Sequence, residues 1–256
     1  MHAHFLKVAP TYNEIRTTDP EPILYIKERL IDRDLIQAID IGCGSGRYDL
    51  ILCKTISGIE LICSDVNESM IMETSQYLKN HGVDNFSTLH GDISMLELEH
   101  ESMDCVLTFN AIHHFEPVTF LCKAANALRE GGYVFIYTRL RNQNARNIWG
   151  RFFPEFSKTE TRLYDLHQVE QWMTSTDMRL TTIEFFRFKR IASLAHLVHQ
   201  ATNRHYSTFS LYSSDAFERA LQGFQENIKS HFPDPNHIEW YDENVMIVFQ
   251  KVLDPT

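Results

Sequence analysis

Apolar runs alternate with amphipathic stretches along most of the chain. Short apolar runs bounded by turn residues predict strands, at 38–41, 59–65, 86–90, 103–109, 133–137, 180–187 and 244–251. Apolar positions at helical spacing predict helices, at 21–34, 48–55, 67–79, 117–129 and 166–176. This alternation predicts an α/β fold with a mostly parallel sheet.

Two stretches interrupt the alternation, at 139–164 and 191–241, and the second has helical patterns at 191–201 and 214–228. Both contain several aromatic residues, and the second is also rich in histidine. An insertion of this length in a compact domain usually serves a function. We therefore expect one domain over 1–256, with a core of about 20–138, 165–190 and 242–253 and a lid of about 139–164 and 191–241. Most of the lid's aromatic side chains are expected to form its own core.

Composition and charge limit the classes of molecule that the protein is expected to bind. The 256 residues carry a formal charge of −10, which disfavours nucleic acid. The densest basic stretch, residues 139–151, is expected to be solvated. The chain has no apolar run long enough to span a membrane, and its first residues lack the apolar core of a signal peptide.

The five cysteines, at 43, 53, 63, 105 and 122, form no C-x-x-C motif and several lie in apolar runs. This pattern is typical of small buried residues in a reducing compartment rather than of disulfides or metal ligands. We therefore expect a cytoplasmic protein without a metal site.

The first strand leads into three glycines at alternate positions, 42, 44 and 46, followed by the start of a helix. Glycine lets the backbone turn sharply and lets a ligand lie against the peptide planes. A dinucleotide fingerprint needs G-x-G-x-x-G, and here the spacing is G-x-G-x-G. Asp40, at the strand end, suits a ligand with a positive group. Residues 40–46, D-I-G-C-G-S-G, resemble motif I of the class I S-adenosylmethionine-dependent methyltransferases.

The resemblance implies a Rossmann-like, seven-stranded, mostly parallel sheet with helices on both faces and a helical lid insertion. It also implies S-adenosylmethionine as cofactor, S-adenosylhomocysteine as its product and a small-molecule acceptor. Residues 5–16 resemble the segment F-x-x-x-A-x-x-Y-x-x-x-R that precedes the core in this family. The family's cofactor contacts fall on Tyr12, Arg16, Asp40, Gly42, Cys43, Gly44, Asp65, Val66, Asp92, Ile93, Asn110 and Ala111.

Some of these residues also have a structural interpretation. Asp65, at the end of the second strand, can accept both ribose hydroxyls or cap the next helix, although Ser64 or Asn67 could be that cap. Asp92 can contact the adenine amine or stabilise its own turn. Arg16 can bind the cofactor's carboxylate, or its segment can be an amphipathic helix packed on the domain.

The fourth strand ends at His113 and His114, where the family places the methyl group. Imidazole titrates near neutral pH, so either histidine could be a general base, or both could be structural. Arg204 and Tyr206 in the lid could orient a polar group of the acceptor, with no nucleic acid or membrane as partner. The acceptor is expected to be partly apolar, either a carboxylic acid or an aromatic ring. The rival functions are a catalytically silent cofactor-binding or partner-binding protein and a nicotinamide oxidoreductase.

Overall fold

A computed structural model describes residues 17–172, 176 and 178–252, so Tyr12 and Arg16 lie outside the described residues. The strands are β1 (Ile36–Ile41), β2 (Ile59–Asp65), β3 (Phe86–His90), β4 (Met103–Phe109), β5 (Leu128–Thr138), β6 (Met178–Ala192) and β7 (Ile238–Lys251). The core helices are α1 (Glu21–Arg29), α2 (Arg47–Thr55), α3 (Glu68–Asn80), α4 (Pro117–Ala127) and α8 (Leu166–Gln171). The remaining helices are α5 (Arg141–Arg146), α6 (Ile148–Phe152), α7 (Phe156–Thr159), α9 (Leu194–Thr202) and α10 (Ser214–His231).

The seven strands form one sheet in the order β3-β2-β1-β4-β5-β7-β6. Strands β1 to β5 are parallel, and β7 is antiparallel to both β5 and β6. The chain order reverses between β1 and β4, which places a crevice at the carboxyl ends of these two strands. This architecture confirms the predicted Rossmann-like sheet.

Helices cover the sheet on both faces. One face packs against α4 and α8 through side chains such as Phe120, Leu121 and Val169. The other packs against α1, α2 and α3 through Ile26, Leu52 and others. Apolar residues spaced three and four positions apart on these helices form both interfaces, as the helical periodicity of the sequence predicts. The strand ends at the crevice are therefore fixed by two cores.

Several element ends differ from the sequence prediction. Strands β2, β3 and β4 have the predicted bounds, but β5 begins at Leu128, before the double glycine rather than after it. The pairing of β4 with β5 shifts register between Met103 and Cys105, and the glycines fall in the bulge that this shift creates. Strands β6 and β7 continue as a two-stranded ribbon to the pair of Ala192 and Ile238. The second insertion therefore shrinks to 193–237.

The lid has an apolar core of its own. Trp149, Phe153, Phe209 and Phe224 are buried at its centre with helix residues of α9 and α10. Trp149 stacks on Phe224 with the ring centroids 4.9 Å apart. This packing confirms that most aromatic side chains of the insertions hold the lid together. Among the described residues, no helix is long and apolar enough to cross a membrane.

Two buried carboxyl groups lie beneath the glycine turn. Asp40 on β1 is 1% exposed and Asp49 on α2 is 0% exposed, and the two carboxyl groups lie close enough for each to shift the pKa of the other. Burial and the neighbouring Asp49 raise the pKa of Asp40 well above its usual range. Burial raises the pKa of Asp49 to about 7, against the lowering effects of the neighbouring Asp40 and Cys63. Asp65 and the thiols of Cys43 and Cys53 also face this pair. The pair therefore holds at least one proton at neutral pH.

We expect Asp49→Asn to flatten the pH dependence of stability. A raised folded pKa contributes stability that is present below the unfolded value, about 3.9, and is lost as the pH rises to about 7. Asparagine has nearly the same size as aspartate and does not titrate. Between pH 5 and pH 8 the wild type should lose at least about 1 kcal/mol relative to the variant. In thermal unfolding this is a shift of roughly 2–4 °C.

The exposed Asp32 provides the matched control, because Asp32→Asn removes a carboxylate without touching the pair. Its unfolding curves should follow the wild type at each pH. If the stability of the wild type and of Asp49→Asn changed by the same amount between pH 5 and pH 8, the shared proton would be contradicted.

Candidate active site

A cavity of about 430 Å³ opens at the carboxyl ends of β1 and β4 and continues under the lid. Its deep end is lined by the glycine turn and by the residues after β2, β3 and β4. Nine predicted cofactor residues line it: Gly42, Cys43, Gly44, Asp65, Val66, Asp92, Ile93, Asn110 and Ala111. We call this part the cofactor end and the part under the lid the acceptor end. His113, His114 and Tyr206 also line the cavity.

The glycine turn is held in a left-handed conformation. Gly42 and Gly44 have φ values of +78° and +59°, a region that residues with a Cβ atom rarely adopt. The N–H groups of Gly42 and Cys43 donate to Ser64 O at 2.7 and 3.0 Å. Thr74 Oγ1 donates to Gly44 O at 2.6 Å. These bonds fix the turn to β2 and α3, so its shape does not depend on a ligand.

Asp65 joins the turn to the end of β2. Its Oδ2 accepts from Gly44 N at 3.0 Å and its Oδ1 accepts from Asn67 N at 2.8 Å. The cap of α3 is Asn67, whose side chain accepts from Ser69 N at 3.0 Å. Asp65 is therefore not the cap, and it lines the cavity.

Asp92 and Asn110 mark the ends of β3 and β4. Asp92 Oδ1 accepts from the N–H and hydroxyl of Ser94 at 2.9 and 2.7 Å, so it also stabilises its own turn. Asn110 has a φ of +56° and donates its N–H to Tyr137 O at 2.7 Å. That conformation turns the chain sharply away from the sheet at the mouth of the crevice. The residues that follow it form the wall between the two ends of the cavity.

His113 and His114 occupy a short 3-10 turn, Ile112–His114, directly after Asn110. Their rings lie with centroids 4.1 Å apart, and both line the cavity. His114 N donates to Ala111 O at 2.8 Å, which holds the turn closed. Both histidines therefore line the cavity directly after the carboxyl end of β4.

Two predicted site residues do not line the cavity. Asp40 is buried beneath the turn against Asp49, so the structure gives it no direct contact with the cavity. Arg204 donates to Phe209 O, and its guanidinium lies 4.5 Å from the centroid of the Phe217 ring. It therefore packs against the lid's own core, and its predicted role in orienting an acceptor has no support in its position.

Cys43 lines the cavity, but its thiol is unreactive. Burial, with the nearby Asp49 and Asp40, raises the pKa of its thiol well above the usual range. The thiol therefore stays protonated and is a poor nucleophile toward a ligand in the cavity. All five cysteines are free, and Cys122 is exposed, contrary to the expectation of buried positions. No group of three potential metal ligands occurs among residues 17–172, 176 and 178–252.

Sequence reasoning missed the ionic part of the acceptor end. Arg139, from the stretch predicted to be solvated, has a side chain only 10% exposed, and its Nη2 lies 3.3 Å from Asp242 Oδ1. It also donates to Tyr206 Oη at 3.3 Å and to Asn244 Oδ1 at 3.4 Å. Burial acts to lower the pKa of Arg139. The neighbouring Tyr206 and Asp242 outweigh it and raise this pKa above its usual range. Only the position of Arg139 directly after β5 distinguishes it from the exposed Arg141, Arg146 and Arg151.

The residues present fit S-adenosylmethionine. A Cβ atom added at Gly44 would meet no protein atom within 4 Å, although Gly44 lines the cavity, so the space in front of the turn is open. Asp65 faces this space with a carboxylate, which suits hydroxyl and amine donors rather than a pyrophosphate. The cofactor end is therefore a cradle for a nucleoside with a positive or neutral tail.

Comparison of sequences supports this geometry. Residues 39–136 match the model of a family described as a methyltransferase domain. The phthiotriol/phenolphthiotriol dimycocerosates methyltransferase of Mycobacterium tuberculosis is 31% identical over 116 residues, which are 44% of this chain and 41% of that protein. The chain thus spans about two fifths of the length of the curated relatives that it matches first.

Solved structures share the fold over nearly the whole described chain. One is a methyltransferase-like protein of Bacillus halodurans, with a TM-score of 0.65 at 13% identity, covering 93% of this chain and all of the other. Another is an N-methyltransferase of Haemonchus contortus in complex with S-adenosylhomocysteine, with a TM-score of 0.58 at 16% identity, covering 91% of this chain and 52% of the other. At such identities these likenesses show the fold. Residues 39–136 are therefore similar to the methyltransferase-domain family, and the described chain has the fold of these solved structures.

Proposed function

We propose that this protein transfers the methyl group of S-adenosylmethionine to a small-molecule acceptor. The observation that carries the proposal is the single cavity, which runs from the glycine turn past His113 and His114 to the lid. A donor bound against the turn and an acceptor bound under the lid would meet at the end of β4. The sulfonium methyl is already activated, so the protein has mainly to align the two molecules and exclude water.

The residues of the cofactor end have distinct roles in this proposal. The glycine turn lets the cofactor's amino-acid part lie against the backbone, and Asp65 accepts the ribose hydroxyls. Asp92 and Ile93 contact the adenine. Asn110 and Ala111 lie beside the methyl group, with the neutral thiol of Cys43 forming part of the wall.

At the acceptor end, the lid excludes water and His113 or His114 takes a proton where the nucleophile must lose one. The attacking atom supplies the electron pair of the new bond to the methyl carbon, and the sulfur keeps the pair of the broken bond. The N-terminal residues Tyr12 and Arg16 remain predicted contacts of the cofactor's amino-acid end.

The first test is ligand binding. S-adenosylmethionine and S-adenosylhomocysteine should bind in calorimetry with dissociation constants of micromolar order, and NAD should not bind, because the G-x-G-x-G spacing of the turn differs from the dinucleotide fingerprint. Methyl transfer from labelled S-adenosylmethionine to a metabolite extract then separates an enzyme from a silent binding protein. Binding of NAD alone would contradict the proposal.

A second prediction concerns the glycine turn. Gly44→Ala places a methyl group in the open space of the cradle and should lower S-adenosylhomocysteine affinity by at least about tenfold. Gly82→Ala is the matched control, because Gly82 also has a positive φ, +71°, and no neighbour within 4 Å of an added Cβ atom, and it does not line the cavity. Both variants should lose a similar amount of stability, about 1–2 kcal/mol. Equal cofactor affinity in the two variants would exclude the turn as the binding surface.

A third prediction concerns the lid. Tyr206→Phe removes the hydroxyl that accepts from Arg139 and should reduce methyl transfer about tenfold, the effect of one lost hydrogen bond at the acceptor. Cofactor affinity should stay within about twofold of the wild type, a change too small to reflect a lost contact. Arg204→Ala, outside the cavity, should lower the melting temperature and leave the rate per folded molecule unchanged. If Arg204→Ala lowered the rate of methyl transfer more than Tyr206→Phe, Arg204 would instead be the acceptor contact.

A further inference from the structure

The acceptor end combines aromatic walls with a buried ionic chain. Trp149, His205, Tyr206 and Trp240 contribute rings to the lining. The rings of His205 and Tyr206 lie with centroids 4.2 Å apart, and His205 packs on Trp149 at 5.1 Å. These rings can surround an apolar or aromatic body. What the acceptor can carry besides this body depends on the charges around it.

Two arginines and two aspartates form a continuous chain along this wall. Asp19 pairs with Arg190, Arg190 Nε lies 3.4 Å from Asp242 Oδ2, and Asp242 Oδ1 lies 3.3 Å from Arg139 Nη2. All four side chains line the cavity and are between 10% and 18% exposed. Asp242 is the central member, because it neutralises both arginines.

The remaining carboxylate of this end is also neutralised. Glu160, which is 3% exposed, pairs with Arg162 and accepts a hydrogen bond from Thr208 Oγ1 at 2.6 Å. Five charged side chains of the cavity wall therefore have a partner of opposite sign: Asp19, Arg139, Glu160, Arg190 and Asp242.

This balance has a physical consequence for the ligand. A buried carboxylate or phosphate needs a cation that is not already engaged, and a buried ammonium group needs such an anion. An acidic acceptor would have to displace Asp242 or Asp19 from an arginine, and a basic one would have to displace an arginine from its carboxylate. Breaking a buried pair leaves one charge uncompensated, which is strongly unfavourable.

We propose that the acceptor is an uncharged molecule with an aromatic or apolar body, and that Asp242 excludes acidic acceptors by neutralising Arg139 and Arg190. The inference rests on the proposed methyl transfer, because it assigns the second ligand of the same cavity. Of the two acceptor classes predicted from the sequence, it retains the aromatic ring and rejects the carboxylic acid.

Three probes of equal size test the proposal: 4-hydroxybenzamide, 4-hydroxybenzoate and 4-hydroxybenzylamine. Their dissociation constants are measured by calorimetry in the presence of saturating S-adenosylhomocysteine. The neutral amide should bind the wild type at least about tenfold more tightly than the anion or the cation. Failure of S-adenosylhomocysteine itself to bind would be a failure of the proposed function and is seen before any probe is added.

Asp242→Asn supplies the decisive comparison, because it leaves Arg139 without its carboxylate. The benzoate should gain about tenfold in affinity relative to the amide, and the benzylamine should not gain. Asp19→Asn changes the other end of this ionic chain. It should raise the affinity for the benzoate relative to the amide by less, since Arg190 keeps Asp242. Asp165→Asn removes an exposed partner of Arg141 outside the cavity and should leave the ratio unchanged.

Two results would overturn the proposal. One is a wild type that binds the benzoate or the benzylamine as tightly as the amide, or that binds none of the three at millimolar concentration. The other is an unchanged benzoate-to-amide ratio in Asp242→Asn that melts within a few degrees of the wild type. If that variant does not fold, the same ratio in Asp19→Asn decides the matter.

Discussion

The arrangement of the cofactor end depends on the hydrogen bond from the Gly44 amide to the Asp65 carboxylate, at 3.0 Å. It joins a left-handed turn after β1 to the end of the neighbouring parallel strand. Thr74 Oγ1 on α3 adds a bond to the carbonyl of the same glycine, so strand, turn and helix are held at one point. The carboxylate that is expected to bind ribose is therefore also a structural part of the turn. Substituting Asp65 would change the affinity for the ligand and the conformation of the turn together. Gly44→Ala therefore tests the ligand contact more directly.

Most of the fold could be predicted from the sequence because its signals are local. Strands β2, β3 and β4 are short apolar runs bounded by turn residues, and their bounds are the predicted ones. Nine of the predicted cofactor residues line the cavity, because the carboxyl ends of parallel strands meet at one edge of a sheet. Asp40 has the same kind of position in the sequence, and only its packing against Asp49 shows that it lies behind the wall.

The acceptor end could not be predicted in the same way. Arg139 and Asp242 are more than 100 positions apart, and their contact depends on β7 entering the sheet beside β5. Arg139 and Arg141 look alike in sequence, yet one is buried in the ionic chain and the other pairs with Asp165 at the surface. The position of Arg204 against Phe217 could not be predicted for the same reason, since the lid's internal packing decides which side chains face inward.

The ribbon of β6 and β7 extends the sheet beyond its predicted end and carries Trp240, Asp242 and Asn244 into the cavity wall. These three residues alternate along β7, so they share one face of the strand. The residues that alternate with them, Glu239, Tyr241 and Glu243, belong to the other face. A shift of one residue in the pairing with β6 would exchange the two sets and place two glutamates where the wall now has an indole and an amide. Strand register, rather than lid sequence alone, thus determines the chemical character of this wall.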